Sequence, residues 1–478
     1  MMTEFWKGHA KFATVEEMML DSNAQELTQH ELPEILSMLP SLTGSDVLEL
    51  GAGIGRYTRH LIGKARHVTA VDFMEKFVEK NRKDNSHLGK AEFIQADVTK
   101  LDFPKHSFDV IFSNWLLMYL SDQELKSLAE KFLTWLRPDG YLFFRESCFY
   151  QSAPAYYNHL MMTSFLLDES DKMEKKCYGF DMVFNKTVHT YVKMKNHLNQ
   201  LCWLMQKVRR DVVEQHQGGF STFQEFLDNQ QYTRKGILHY EMMFGSGYVS
   251  TGGISTTKEF VDMLNLTAGQ KVLDVGCGIG GGDFYMARTF GVEVLGMDLS
   301  SNMVEIAMER AVKEKVPLVQ FEVSDATKRR FPDATFDVVY SRDTILHIRD
   351  KVDLFRKFYS WLKPGGKFLI SDYCCGEKPW TPAFQDYVNQ RGYILYTPQK
   401  YGQFLSEVGF SNVRAEDRTE QFIQVIKAEL HRAGEMKQEF IKEFSQEDYD
   451  TIVNGWTEKL QRCETGDQRW GLFYATKE

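Results

Sequence analysis

A long segment of this chain occurs twice, and this internal repeat limits the possible folds more than any other feature of the sequence. The stretch V-L-E-L-G-A-G-I-G at 47–55 recurs as V-L-D-V-G-C-G-I-G at 272–280. Three further motifs recur in the same order: Asp72 with Asp298, F-D-V-I-F-S at 108–113 with F-D-V-V-Y-S at 336–341, and W-L-R-P-D-G at 135–140 with W-L-K-P-G-G at 361–366. The offset stays between 225 and 228 residues, so the chain is a fused duplication of one domain.

Within each copy, short apolar runs such as V-L-E-L and D-V-I-F-S-N alternate with amphipathic stretches. This alternation predicts buried parallel strands joined by crossover helices, in two tandem doubly wound, Rossmann-like α/β domains. A length of 478 residues suits two domains. A polar segment that ends in Gly-Gly indicates the connection between them. We predict a first domain at residues 1–210, a linker at 211–225 and a second domain at 226–478.

Charge and cysteine content narrow the class of protein. A formal net charge of -9 argues against a chain that holds nucleic acid, which needs a basic surface. The seven cysteines are scattered and form no C-x-x-C pair, which predicts reduced thiols, no metal site and a cytoplasmic protein. No stretch approaches the roughly 18 apolar residues of a membrane span. The first ten residues also lack the apolar core of a signal peptide.

Acidic residues around the two glycine loops indicate which ligand the loops favour. A strand that ends in glycines lets the backbone approach a ligand, because glycine lacks a Cβ atom. In each copy one acidic residue stands two positions before the first glycine, where it would repel a pyrophosphate but suits the ammonium group of a methionine. A second ends the next strand, where it can accept the ribose hydroxyls, and a third follows the third strand, near an adenine amine. These pairs are Glu49 and Asp274, Asp72 and Asp298, and Asp97 and Asp325. They predict S-adenosylmethionine as the cofactor and class I methyltransferase domains.

Longer motifs, spread over nearly the whole chain, resemble those of a known family. In the first copy they are M-M-L-D-S at 18–22, L-E-L-G-A-G-I-G-R at 48–56, S-N-W-L-L-M-Y-L at 113–120 and F-F-R-E-S-C-F at 143–149. In the second they are Q-Y at 231–232, S-T-G-G at 250–253, L-D-V-G-C-G-I-G-G-G at 273–282, S-R-D-T-I-L-H-I at 341–348, I-S-D-Y-C at 370–374 and Y-V-N-Q-R-G-Y at 387–393. With these motifs the chain resembles the two-domain phosphoethanolamine N-methyltransferases of plants and animals. The resemblance implies stepwise methylation of phosphoethanolamine to phosphocholine, for phosphatidylcholine synthesis.

Methyl transfer to an amine needs a base, because an ammonium nitrogen has no lone pair. His347 is the natural candidate, since it lies four residues after Asp343 and the two would share one face of a helix. The resemblance implies that His347 acts with Tyr232, that Asp343 binds the substrate amine and that Arg342 lies beside the cofactor. It also implies a phosphate-binding set of phenols and cations. That set is Tyr240, Tyr373, Tyr387, Arg391, Tyr393 and Lys459.

The remaining cofactor residues also follow from the resemblance. In the first copy they are Gly51, Gly53, Val98 and Asn114. In the second they are Gln231, Val249, Ser250, Gly276, Leu299 and Ala326, with Tyr248 at their border.

The first copy departs from the second where the acceptor should bind. Trp115 stands in place of Asp343, Tyr119 in place of His347, and Ser147 in place of Tyr373. Trp115 and Tyr119 either face the substrate ammonium through cation–π attraction or serve as packing residues. Lys186 and Tyr191 are candidates for binding phosphate, and Phe5, Trp6 and His9 precede the first strand as Gln231 and Tyr232 do in the second copy. The resemblance implies that the first domain favours phosphoethanolamine and the second its mono- and dimethyl derivatives.

Two alternatives remain open at this point. One is a methyltransferase that acts on another small molecule, such as a sterol, a quinone or a phospholipid. The other is a first domain that only binds cofactor, as a scaffold. We expect a monomer whose partners are small phosphobases.

Overall fold

A computed structural model of the protein describes residue 6 and residues 12–148, 177–210 and 223–478. The chain divides into two compact units, which we call the first unit (1–214) and the second unit (215–478). Most of the predicted linker at 211–225 lies outside the described residues, as do Phe5 and His9, so the linker boundaries stay a prediction. Among the described residues, no helix has both the length and the apolar character that crossing a membrane requires.

The first unit contains a seven-stranded sheet. Its strands are β1 (Asp46–Leu50), β2 (His67–Asp72), β3 (Ala91–Gln95), β4 (Phe108–Asn114), β5 (Leu136–Ser147), β6 (Cys177–Thr187) and β7 (Gln200–Arg210). They lie in the order β6-β7-β5-β4-β1-β2-β3. Strands β1 to β5 run parallel, whereas β7 is antiparallel to both β5 and β6. The helices of this unit are Val15–Met19, Ala24–Met38, Thr58–Ile62, Glu75–Asn85, Asp122–Trp135 and His189–Lys195.

The second unit repeats the same sheet order. Its strands are β8 (Lys271–Val275), β9 (Glu293–Asp298), β10 (Val319–Ser324), β11 (Phe336–Arg342), β12 (Leu362–Cys375), β13 (Ser411–Asp417) and β14 (Gln468–Thr476). They lie in the order β13-β14-β12-β11-β8-β9-β10, again with an antiparallel pair at one edge. Its helices are Phe223–Phe226, Arg234–Phe244, Gly253–Asp262, Gly281–Phe290, Ser301–Glu314, Lys351–Trp361, Pro382–Arg391, Pro398–Val408, Thr419–Glu435, Lys437–Glu443 and Gln446–Glu464. Each unit thus has the doubly wound architecture predicted from the sequence.

Apolar side chains cover both faces of the central strands, as the continuous apolar runs predict. Four of the five residues of β1 and of β8 are buried. In the second unit the core includes Trp361, Phe368 and Phe473, and the ring of Tyr401 stacks on Phe473 with centroids 4.5 Å apart. This packing fixes the strand ends, and in such sheets the ligand site lies at the carboxyl ends of the strands.

A lysine closes the end of one helix in each unit. The helices Asp122–Trp135 and Lys351–Trp361 run directly into β5 and β12, so their last carbonyl groups lack helical partners. Lys207 Nζ donates to the carbonyls of Leu133 and Leu136 at 2.7 and 2.9 Å. Lys477 Nζ donates to the carbonyls of Tyr359 and Leu362 at 2.7 and 2.8 Å. These two lysines are structural counterparts in the duplicated fold.

Candidate functional site

The glycine loop of the second unit connects β8 to the helix Gly281–Phe290. Gly276, Gly278 and Gly280 all have positive φ angles, a conformation that other residues rarely adopt. The backbone N–H of Gly278 donates to Oδ2 of Asp298 at 3.0 Å, and burial raises the pKa of this carboxyl to about 6. A Cβ atom on Gly278 would lie 2.6 Å from Val249 Cγ2, and the positive φ angle also strains other residues, so this position favours glycine.

The first unit builds its loop in the same way. The N–H of Gly53 donates to Oδ2 of Asp72 at 2.8 Å, and the N–H of Met74 donates to Oδ1 at the same distance. Gly53 has a positive φ angle of 55°. The carboxylate at the end of the second strand is therefore fixed beside the loop in both units, where the sequence places a ribose-binding group.

The third acidic pair closes tight turns. In Asp97 and in Asp325, Oδ1 accepts hydrogen bonds from the backbone N–H and the hydroxyl of the threonine two residues later. The second oxygen faces a lysine, Lys100 at 3.6 Å and Lys328 at 3.9 Å. The turn accounts for one oxygen of each carboxylate, and the contact with adenine stays a prediction.

The acidic residue before the loop has different partners in the two units. Oε2 of Glu49 accepts a 2.6 Å hydrogen bond from the hydroxyl of Thr58, and burial raises the pKa of Glu49 to about 8. At the place of Thr58 the second unit has Asp283, which is fully buried like its neighbour Asp274. Within the described chain, Asp274 Oδ1 and both oxygens of Asp283 have no hydrogen-bond partner. A buried carboxylate without a donor fits the ammonium end of S-adenosylmethionine, which would supply that donor.

Asp343 is held by three donors from separate segments. The indole Nε1 of Trp470 donates to Oδ1 at 2.8 Å, and the hydroxyl of Ser371 donates to the same oxygen at 3.0 Å. The N–H of Thr251 donates to Oδ2 at 3.2 Å. These bonds fix the direction of the carboxyl group, so Asp343 can present its oxygens to a cationic substrate.

His347 lies on a 3₁₀ turn and not on the α-helix that the spacing suggested. The turn spans Ile345–His347, and Asp343 before it has a left-handed φ of 51°, which breaks helical geometry. The imidazole packs edge-on against Tyr393 with centroids 5.2 Å apart and lies 5.9 Å from Phe223.

The electrostatics around His347 favour a neutral ring. Burial is the main cause that lowers its pKa to about 4, and the positive charges of Lys351 and Arg391 lower it further. Nδ1 has no hydrogen-bond partner in the part of the chain that the structure describes. A neutral imidazole with a free nitrogen can accept a proton.

Cations and phenols meet at the far end of the same site. Lys459 Nζ donates to the hydroxyl of Tyr373 at 3.2 Å and lies 4.1 Å from the centroid of a Trp456 ring. The guanidinium of Arg462 stacks 3.8 Å above the ring of Tyr387. Arg391 ends the helix that carries Tyr387, as the four-residue spacing predicts. Together these groups form a surface that suits a phosphate.

A cavity of about 790 Å³ in the second unit is lined by the glycine loop, by Asp343 and His347, and by the cations and phenols, and its volume is typical of small-molecule sites. Every residue predicted for the second unit lines it. They are Gln231, Tyr232, Tyr240, Val249, Ser250, Asp274, Gly276, Asp298, Leu299, Asp325, Ala326, Arg342, Asp343, His347, Tyr373, Tyr387, Arg391, Tyr393 and Lys459. The structure therefore brings the predicted set together, while the individual roles remain predictions. The hydroxyl of Tyr232 accepts a 3.2 Å bond from the amide of Gln231.

Sequence reasoning missed several residues that support this site. Arg462 lies three positions after Lys459 on one helix, a spacing that could have identified it. Trp470 could not be found in this way, because it bonds a residue 127 positions away.

The first unit has a different arrangement at the position of Asp343. Here Trp115 donates from its indole Nε1 to the amide oxygen of Gln200 at 2.8 Å, and the Gln200 amide donates to the hydroxyl of Ser147 at 2.9 Å. Gln200 pairs with Ser147 as Trp470 pairs with Tyr373 in the second unit. The guanidinium of Arg145 lies 3.9 Å from the centroid of Trp115. One face of the indole already carries a cation, which supports packing over binding of a substrate ammonium for Trp115.

Other first-unit candidates are also built into the packing. Tyr119 makes an edge contact with Trp6, with centroids 6.0 Å apart, and burial raises its pKa to about 12. Lys186 and Tyr191 are buried, and the Tyr191 ring lies 5.0 Å from the guanidinium of Arg145. Their role towards phosphate stays a prediction. Asn114 Oδ1 accepts from Arg145 at 3.3 Å, and Val98 is buried beside Asp97.

Comparison with known proteins supplies independent evidence. Two family models, each described as a methyltransferase domain, match residues 47–140 and 273–370. Phosphoethanolamine N-methyltransferase 3 of Arabidopsis thaliana is 52% identical over 488 residues, which cover 99% of this chain and 97% of that protein. The Triticum aestivum phosphoethanolamine N-methyltransferase is also 52% identical, over 99% of this chain and 94% of its own.

A solved structure agrees over most of the chain. Phosphoethanolamine N-methyltransferase 2 of Haemonchus contortus, in complex with S-adenosyl-L-methionine, matches with a TM-score of 0.77 and 28% identity. The match covers 94% of this chain and 99% of that one. These findings confirm the predicted fold class of two tandem class I methyltransferase domains.

Proposed function

The chain belongs to the phosphoethanolamine N-methyltransferases, and on that premise we propose that it transfers methyl groups from S-adenosylmethionine to phosphoethanolamine in steps that lead to phosphocholine. The observation that carries this proposal is the cavity of the second unit described above. A glycine loop with an unpaired buried carboxylate lies at one end, and three cations lie at the other. Asp343 and His347 line the same cavity.

The residues divide the chemistry among themselves. S-adenosylmethionine, when bound, supplies an electrophilic methyl group on a positively charged sulfur. Asp343, fixed by its three donors, binds the positively charged nitrogen of the acceptor. His347, which is neutral, takes the proton that the amine must lose before its lone pair can attack. Holding the two reacting centres in line supplies much of the rate.

The phosphate end selects the substrate class. Arg391, Lys459, Tyr373 and Tyr387 all line the cavity, and Lys459 Nζ donates to the hydroxyl of Tyr373. Cations and phenols bind phosphate oxygens well, whereas an apolar sterol or quinone would leave them unpaired. This chemistry favours a phosphobase over the apolar acceptors. The Haemonchus enzyme solved in complex with phosphomonomethylethanolamine supports the same class of acceptor.

We propose further that the first unit favours phosphoethanolamine and the second its mono- and dimethyl derivatives. The support is the difference between the two acceptor positions. The second unit presents the carboxylate of Asp343 and the imidazole of His347, whereas the first presents Trp115 and Tyr119. Because the cofactor loops of the two units are alike, both units are expected to use the same methyl donor. Because the acceptor positions differ, the two units are expected to prefer different acceptors.

The test uses a matched pair of variants of the full chain. Asp72→Ala and Asp298→Ala remove the corresponding carboxylate beside the loop of each unit, and each variant is assayed with all three phosphobases and labelled cofactor. We expect Asp72→Ala to lose methylation of phosphoethanolamine and to keep that of the methylated derivatives, and Asp298→Ala to show the reverse. Equal loss on every acceptor would contradict the division of steps. An Asp298→Ala variant that methylates nothing would make the first unit a cofactor-binding scaffold.

A further inference from the structure

A buried lysine holds the backbone on both sides of His347. Lys351 is only 2% exposed, and its Nζ donates to the carbonyls of Ile345 at 2.7 Å and Ile348 at 3.0 Å. These two residues flank the short segment that carries His347. A buried ammonium is costly to desolvate, so its place in the core needs a compensating role.

The same turn is held from its other side. The N–H of Ile394 donates to the carbonyl of Leu346 at 2.8 Å. The buried carboxylate of Asp372 on β12 accepts from the hydroxyl of Tyr401. The carbonyls of Ile345, Leu346 and Ile348 thus accept hydrogen bonds from groups outside the turn.

The charges in this network act on His347. Burial lowers the pKa of Lys351 and raises that of Asp372, and each partner opposes the shift of the other, which favours the ionised pair. Among the described residues, the titratable groups near the imidazole include Lys351 from the following helix, Arg391 from the helix Pro382–Arg391, and Tyr393 after it. Of these, Lys351 and Arg391 carry positive charge.

The first unit holds its corresponding turn without a lysine. There the carboxylate of Glu146 accepts from the N–H groups of Leu116, Leu117 and Met118, at 3.2, 2.9 and 3.3 Å. Gln123, at the position of Lys351, is exposed. The buried cation is therefore a feature of the unit that carries the histidine.

We propose that Lys351 is a positioning residue, whose ammonium fixes the backbone around His347 and thereby sets the place of the imidazole. The inference rests on the proposed role of His347 as the base. It adds a residue that does not itself contact the acceptor but determines whether the base is correctly aimed.

Lys477 provides a matched control in the same unit. Like Lys351, it donates to two backbone carbonyls, at 2.7 and 2.8 Å. The carbonyls bound by Lys351 precede the helix Lys351–Trp361, whereas those bound by Lys477 lie at the end of this helix. Lys477 binds Tyr359 and Leu362, away from the turn of His347. Loss of either lysine should therefore lower the thermal midpoint, but only loss of Lys351 should alter catalysis.

The experiment compares the full-chain variants Lys351→Gln and Lys477→Gln with phosphodimethylethanolamine as acceptor, from pH 5 to 9. We expect Lys351→Gln to lower kcat about 10- to 100-fold, the cost of a misplaced catalytic group, with the KM for cofactor within about twofold. Removing a positive charge near His347 raises the pKa of the imidazole, so the acidic limb of the kcat profile should move to higher pH. Lys477→Gln should leave kcat and the limb unchanged.

A second pair of variants separates the possible failures. If the wild-type protein methylates no phosphobase, the proposed function is wrong. If His347→Ala keeps its turnover, the role of His347 as the base is wrong. If His347→Ala is inactive while Lys351→Gln matches Lys477→Gln in kcat and pH profile, only the role of Lys351 is wrong. Should Lys351→Gln not fold, Lys351→Arg keeps the charge but changes the bond geometry. We expect it to lower kcat with the acidic limb unmoved, and wild-type kcat would overturn the proposal.

Discussion

The indole Nε1 of Trp470 donates a 2.8 Å hydrogen bond to the carboxylate of Asp343. The first unit has a hydrogen bond between the two corresponding positions, from the indole of Trp115 to Gln200 at 2.8 Å. There the tryptophan stands at the position of Asp343, and Gln200 stands at the position of Trp470. The duplicated fold thus keeps a hydrogen bond between the turn after the fourth strand and the antiparallel last strand. At the turn position, the second unit has the carboxylate of Asp343 and the first unit has the indole of Trp115.

Trp470→Phe should weaken acceptor binding in the second unit. The change keeps most of the packing but removes one of three donors to Asp343, so the carboxylate loses a bond worth roughly 1.5–3 kcal/mol to a charged group. We expect kcat/KM for phosphodimethylethanolamine to fall about 10-fold or more, with cofactor affinity within twofold of wild type. Steady-state kinetics and cofactor titration measure the two effects. An unchanged kcat/KM would mean that Asp343 does not contact the acceptor.

His347→Ala should abolish most turnover by the second unit while leaving cofactor affinity nearly normal. The imidazole lines the same cavity as Asp343, and a positioned base typically contributes about 10²- to 10⁴-fold. Turnover with phosphodimethylethanolamine and a cofactor titration are the measurements. The matched control is Tyr119→Ala, which alters the corresponding position of the first unit and should leave this activity intact. Full turnover in His347→Ala would remove the histidine from the mechanism.

The buried acid before the second loop should make the cofactor-free protein less stable as pH rises. Burial raises the pKa of Asp274 to about 8, above that of an unfolded aspartate. A group with a raised pKa stabilises the fold below its unfolded pKa, and this contribution is lost as pH rises through the folded value. Asp274→Asn should therefore gain thermal stability relative to wild type between about pH 4 and 8. Thermal melts across this range test it, and a difference in Tm that does not grow with pH would contradict it.

The parts of these sites that could be predicted from the sequence are those whose residues lie close together in the chain. The glycines and aspartates of each loop are close in the chain and stand at strand ends, so their order alone predicts where they meet. Contacts between distant segments follow no such rule. The bond from Trp470 to Asp343 joins residues 127 apart, and the left-handed φ of Asp343 turned an expected helix into a 3₁₀ turn. Both depend on how β11, β12 and β14 pack.

Arg462→Gln should raise the KM for phosphobases, because Arg462 adds a third cation to Arg391 and Lys459 at the phosphate end. Its guanidinium lies over Tyr387 at 3.8 Å, and its Nε donates to Gln468 at 3.0 Å, so the side chain is already held towards the cavity that it lines. A charge-assisted bond of this kind contributes about 1.5–3 kcal/mol, which predicts roughly a 10-fold or greater rise in KM.

Arg414→Gln provides the control for this charge change, since Arg414 is an exposed partner of Glu416 on β13. It should leave both KM values unchanged, while Arg462→Gln changes only the value for the acceptor. Inhibition by inorganic phosphate gives a second readout, because a lost phosphate contact weakens the inhibitor as well as the substrate. If Arg462→Gln raised KM for phosphobases without weakening inhibition by phosphate, Arg462 would act by holding Tyr387 in place and not by binding the phosphate itself.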